Sequence, residues 1–215
     1  MADILLTNQS APSTPSSGTA AIFIDSTAKI LCCKDDSGRV AARSLNAAVA
    51  AQGAGFASDT YLTNSDLLIP SFGFQTKTTF LWSISASKTG AGTATPIYNI
   101  RIGANRTTAD TARLTLTGPA QTAIADIGTL YIMATVRTIG ASGVIQGTAF
   151  WVHRGTAANT TTSGTGFAND TTGHVEGTAA GFDMTSIAGQ YIGLSINGGA
   201  SASWTLTQVT VEADW

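Results

Sequence analysis

The sequence predicts an all-β protein, with a C-terminal antiparallel β-sandwich of jelly-roll-like type preceded by a small N-terminal β-meander. Three observations carry this reading. From Phe56 onward, apolar and polar residues alternate with period two in runs of about ten, split by Gly-rich turns. Thr, whose branched Cβ suits a pleated surface, is among the commonest residues. Beyond residue 56 no segment carries a convincing helical period, and eight or nine strands without a helix pack most simply as two sheets.

Residues 1–19 form a flexible N-terminal segment: a short apolar leader, Ile4-Leu5-Leu6, and then a Ser/Thr/Pro-rich spacer. The stretch 20–52 is the meander and its connector. Its strands are expected at 20–25, 29–36 and 39–44, with Ser37-Gly38 as a turn. A lone meander is marginal in water, so it must dock on the rest of the chain, on other copies or on a partner. Ser44 is placed to cap one or two helical turns through the Ala-rich run that follows, with Gly53 and Gly55 stopping them. Residues 53–215 form the sandwich. Its strands are expected at 59–63, 66–69, 78–87, 95–103, 111–117, 127–138, 144–154, 190–197 and 203–213. Between them, 155–186 reads as a long irregular segment, and long loops in compact domains often carry function. Trp82, Trp151, Trp204, Phe80, Phe150, Tyr98 and Tyr191 fall in strands and are mostly expected in the core. Trp215 is expected to cap the sandwich or fill a subunit contact.

Composition narrows the function classes. Charged residues make up 11% of 215, with 11 basic and 13 acidic side chains. The basic residues are scattered without a run, which disfavours nucleic-acid binding. No stretch of 18 apolar residues suggests a membrane span, and the first residues lack the pattern of a signal peptide. Cys32 and Cys33 are neighbours and would point to opposite faces of a strand, so they do not form an ordinary disulfide.

The residues of catalysis are thin. Only Glu176 and Glu212 are glutamates, and the aspartates sit mainly at expected turns, where their own hydrogen bonding places them. His153 and His174 show no metal-ligand spacing. Ser195 lies in GLSIN, which lacks the closing Gly of a nucleophile elbow. No phosphate loop or dinucleotide fingerprint is present. The chain is expected not to be an enzyme and to need no cofactor or metal. Were it a glycan hydrolase after all, Asp170 and Glu176 would be the residues to test.

Several runs carry a family resemblance. SDTYLTNSDLLIP (58–70), SASKTGAGTATPIYNIRIGANRTTADTARLTL (85–116), VRTIGASG (136–143) and IGLSINGGASASWTLTQVTVEA (192–213) resemble a module of tailed-bacteriophage structural proteins. GTAAIFIDSTAKILCCKDDSGRV (18–40) is similar to the short meanders that precede the distal domains of phage fibres. The matched positions are Gly, Thr and apolar residues, so the resemblance concerns architecture and brings no catalytic residue.

The resemblance implies a virion protein, made in the host cytoplasm and carried on the particle as a head fibre or capsid decoration. The alternative is a tail-fibre component or a receptor- or carbohydrate-binding module. Expected partners are other virion proteins of the capsid or tail and two further copies in a homotrimer, with a host-surface glycan as a further candidate. Ile22, Ile24 and Leu31 are the expected attachment residues, buried against the particle. Phe167, Asp170 and His174 mark the candidate binding loop.

Overall fold

A computed structural model describes residues 6–91, 93–153, 174–179, 181–199 and 203–215. The described residues form strands and turns, with no α-helix among them. The strands are β1 (Asn8–Gln9), β2 (Ala21–Asp25), β3 (Leu31–Lys34), β4 (Val40–Ala47), β5 (Gly53–Gly55), β6 (Thr60–Tyr61), β7 (Leu67–Leu68), β8 (Thr79–Lys88), β9 (Ile97–Gly103), β10 (Thr111–Thr117), β11 (Asp126–Thr138), β12 (Val144–His153), β13 (His174–Thr178), β14 (Tyr191–Asn197) and β15 (Trp204–Asp214).

They build two facing sheets, so the expected all-β sandwich is the fold found. The larger sheet runs β1-β2-β3-β4-β15-β8-β11-β12-β13, with β5 also paired to β15. The smaller runs β10-β9-β14-β6, with β7 also paired to β14. The strands therefore divide unevenly, rather than into two sheets of four. Pairing is antiparallel except between β1 and β2.

The core lies between the sheets. From the large sheet come Trp82, Ile84, Leu130, Ile132, Trp151, Trp204 and Val209. The small sheet answers with Tyr98, Ile100, Leu116, Leu194 and Ile196. The Trp151 indole N–H donates to the Tyr98 hydroxyl at 3.0 Å, which satisfies a polar tip inside an apolar layer. Trp151 and Trp204 meet edge to face at 5.4 Å. Two strand aromatics differ from expectation. Phe150 is half-buried on the outer face, stacked on Tyr131 at 5.4 Å, and Tyr191 is half-buried beneath Arg106. Alternation identifies two faces but does not say which one is inside.

The N-terminal meander continues the large sheet. The segment expected to start a helix at Ser44 instead continues β4 to Ala47, because residues 43–47 pair with Thr210–Asp214 of β15, and residues 48–52 then bend without a helical turn. Tertiary pairing overrides alanine's helical preference. Trp215 does cap this seam: its backbone N–H donates to the Ala42 carbonyl at 2.9 Å and its indole N–H to Ser44 Oγ at 2.7 Å. Its ring packs against Phe74 and Phe80. Asp25, fully buried, accepts from the backbone of Thr27 at 2.9 Å, Ala28 at 2.7 Å and Ser71 at 3.1 Å, and from the Ser71 hydroxyl. A small cluster of Phe23, Cys32 and Val40 packs with Phe72 behind the meander.

Candidate functional site

Two surfaces differ from an ordinary solvated sandwich. The first is the outer face of the meander. In β2 and β3 the side chains turned inward include Phe23, Asp25 and Cys32. Ile22, 63% exposed, and Leu31, 59% exposed, face outward, as does half-buried Ile24. Ile24 lies opposite Leu31, and Ile22 opposite the exposed Cys33. On β4, Leu45 is 72% exposed on the same outer face, directly opposite Glu212 of β15. The three expected attachment residues thus form one aliphatic patch, joined by Leu45, which sequence reading missed by placing Leu45 in a helical connector. Within the isolated chain none of the three is in the core. Arg43 lies on the same face of β4 between Ala41 and Leu45, pairs with Glu212 at 2.5 Å and sits 3.9 Å from Asp214.

The second surface covers the outer face of the small sheet and is polar. Arg101, in the middle of β9, is only 9% exposed. Its Nε donates to Ser195 Oγ at 2.7 Å and its Nη1 to the carbonyl of Thr108 at 2.9 Å and to that of Asp110. Its Nη2 pairs with Asp59. Asp110 is buried and accepts from the Asn105 backbone at 2.9 Å, the Asn105 side chain at 3.0 Å and the Arg106 backbone at 2.7 Å. These bonds fix the 104–110 turn and present Arg106 in a left-handed conformation, φ 58°. Arg106 then grips Asp66 through Nε at 2.7 Å and Nη2 at 3.1 Å. That bidentate bond to a buried carboxylate raises the Arg106 pKa further above its ordinary value. The guanidinium also lies 4.9 Å from the centre of the Tyr191 ring.

Two glycines make this layer thin enough to fit. A Cβ at Gly103 would sit 2.2 Å from Asp110 Oδ1, and one at Gly193 would sit 1.9 Å from Tyr61 Oη. Tyr61 therefore lies flat over β14. Burial, with the charges of Asp66 and Asp110 nearby, pushes its hydroxyl pKa upward.

Around Asp66 and Arg106 run three adjoining cavities. One of about 320 Å³ is bounded by Asn46, Leu68 and Tyr191, and one of about 450 Å³ by Tyr61, Asn64 and Asn105; Asp66 and Arg106 line both. A third, about 240 Å³, continues past Thr63 and Asn64 to Gln52 and Val49. Sequence reading found none of this cleft. Its only signal was a charge, Arg101, amid the apolar alternation of β9, followed by an Asn- and Asp-containing turn.

The other expected site residues are less informative. Phe167 and Asp170 lie outside the described residues, and His174 opens β13 with its backbone paired to Phe150. That strand falls within the segment expected to be irregular. Of the turn aspartates, Asp25, Asp66, Asp110 and Asp126 are buried rather than solvated. Among the described residues, no group of three or more His, Cys, Asp or Glu is placed to hold a metal. No helix among them is long and apolar enough to cross a membrane. No protein-family model matches the chain, and no curated protein matches it.

Proposed function

We propose that the chain is a structural, non-catalytic protein of a tailed-bacteriophage virion, a head fibre or capsid decoration held to the particle by its N-terminal strands. The observation that carries this reading is the aliphatic patch of Ile22, Leu31 and Leu45 on the outer face of β2–β4. Large aliphatic side chains grouped on one exposed face favour association. Its occupant in this reading is an apolar surface of the capsid protein, and the exposed sandwich projects away from it. The resemblance of residues 18–40 to meanders of phage fibres supports the same assignment. Assembly as a homotrimer belongs to this proposal, and light scattering at three times 21.9 kDa is the expected result.

The test is mass spectrometry of purified particles, followed by rebinding to particles lacking the protein. The full chain is expected in the particles, and I22S/L31S/L45S is expected to fold but not to rebind. Absence of the chain from purified particles overturns the reading. Rebinding by the triple variant at the wild-type level removes the patch from it.

A further inference from the structure

The cleft around Asp66 and Arg106 adjoins the aliphatic patch, with Arg43 and Leu45 on its rim, and its chemistry points to a different occupant. Charge comes first. Asp66 is neutralised by the bidentate Arg106, and Arg43, which borders the cleft, is paired to Glu212. Each of these charges already has an opposite partner, so the cleft offers no excess charge to draw an anion or a cation.

Hydrogen-bonding capacity comes second. Thr63 and Asn64 line two of the cavities, and among the described contacts their side chains make no hydrogen bond. Asn105 uses its amide N–H on Asp110, and its amide oxygen is left to accept. Arg106 keeps N–H donors beyond the two used on Asp66. These are planar amide and guanidinium edges with paired donors and acceptors, the complement of neighbouring hydroxyl groups on a sugar ring. Tyr61 and Tyr191 line the walls, with the Tyr191 ring supporting the Arg106 guanidinium that would hydrogen-bond the sugar. Third, the walls are fixed before any ligand arrives, by Arg101 and Asp110 beneath the 104–110 turn. The three cavities adjoin in a row, which suits a chain of units better than one compact cofactor.

We propose that this cleft binds an uncharged saccharide chain, with Asn64, Asn105 and Arg106 hydrogen-bonding its hydroxyls. The inference does not rest on virion attachment, and either can fail alone.

The experiment is a ¹⁵N NMR titration of the full chain with maltohexaose, cellohexaose, chitohexaose and mannohexaose, using oligogalacturonate as the anionic comparison. At least one neutral hexasaccharide, at about 10 mM or below, is expected to shift the Asn64, Asn105 and Arg106 side-chain signals. The variant N64G removes the amide while accepting the positive φ of 56°. It is expected to keep the wild-type unfolding midpoint and lose about fivefold in affinity. Silence from every neutral probe overturns the proposal. So do shifts confined to another surface, preference for oligogalacturonate, or an unchanged affinity in N64G.

Discussion

The hydroxyl of Tyr61 occupies the place where a side chain on residue 193 would begin, 1.9 Å from an ideal Cβ. Gly193 is thus fixed by a neighbour on β6 and not by its own backbone torsion. The Tyr61 hydroxyl is itself buried without a hydrogen-bond partner. Gly193→Ala is expected to displace Tyr61 and cost about 1–3 kcal/mol in urea unfolding. Tyr61→Phe should be within about 1 kcal/mol of wild type or slightly more stable, because it removes an unpaired buried hydroxyl. The pair G193A/Y61L should cost less than the sum of its parts, since Leu lacks the clashing atoms.

Arg101 links three separate pieces of chain: Ser195, the 104–110 turn through Thr108 and Asp110, and Asp59. Arg101→Met keeps much of the side-chain volume but strands these acceptors. The expected loss is about 3 kcal/mol by chemical denaturation, with the 104–110 turn losing amide protection in hydrogen exchange before the rest of the sandwich.

The adjacent cysteines should behave as opposites. Cys33 is exposed, while burial, and secondarily the Asp25 charge, pushes the Cys32 thiol up to about 11. One thiol per native chain should react with a disulfide reagent at pH 8, and both after denaturation. A thiol held protonated by the fold contributes stability that is fully present below its ordinary value of 9.0. That contribution is lost as pH rises from 9.0 to about 11. Tyr61 and Tyr98, also pushed upward by burial, add loss of the same sign above pH 10.0. These contributions to stability should therefore be lost above pH 9, opposed by Lys88, whose pKa burial lowers, and Cys32→Ala should flatten the first part of that loss.

Asp25 ties the meander to the 70–73 turn through Ser71. Asp25→Ala is expected to cost about 2–4 kcal/mol in thermal or urea melts, and Asp25→Asn less, because one turn-capping oxygen remains. Deleting residues 1–52 removes β4 from the edge of β15 and Ser44 from the Trp215 indole. The shortened chain should unfold at lower denaturant and scatter light as aggregates, because its newly bared strand edge is long.

The sandwich strands were legible because one face of each is buried, which writes period two into the residues. In β8, β11 and β15 the expected and observed boundaries differ by no more than one residue at either end. β4 was half-misread, because Ala41, Ala42 and Ala47 carry no apolar alternation and are strand only through their neighbours β3 and β15. β13, HVEGT, was hidden for a related reason: its Gly177 sits where a Cβ would press on Leu116, so packing removed the apolar side chain that would have marked it. The polar cleft was illegible because it is assembled from residues 59–66, 99–110 and 191–195, and no local pattern announces that these meet. Aspartates in turns read as solvated by default, yet Asp66 and Asp110 are buried by their arginine and amide partners.

The strand order also sets a timetable for synthesis. β15 stands between β4 and β8, and both wait for it. While a ribosome is still making residues 89–203, the first forty-seven residues have only each other to pair with, and one edge of β8 stays bare. The sheet closes across its middle only when its last strand emerges, so folding is governed by contacts between distant parts of the chain and should be slow. A nascent chain stalled before residue 204 presents two open edges at once. Truncated translation products, more than any point variant, are then the species a cell would have to chaperone or destroy.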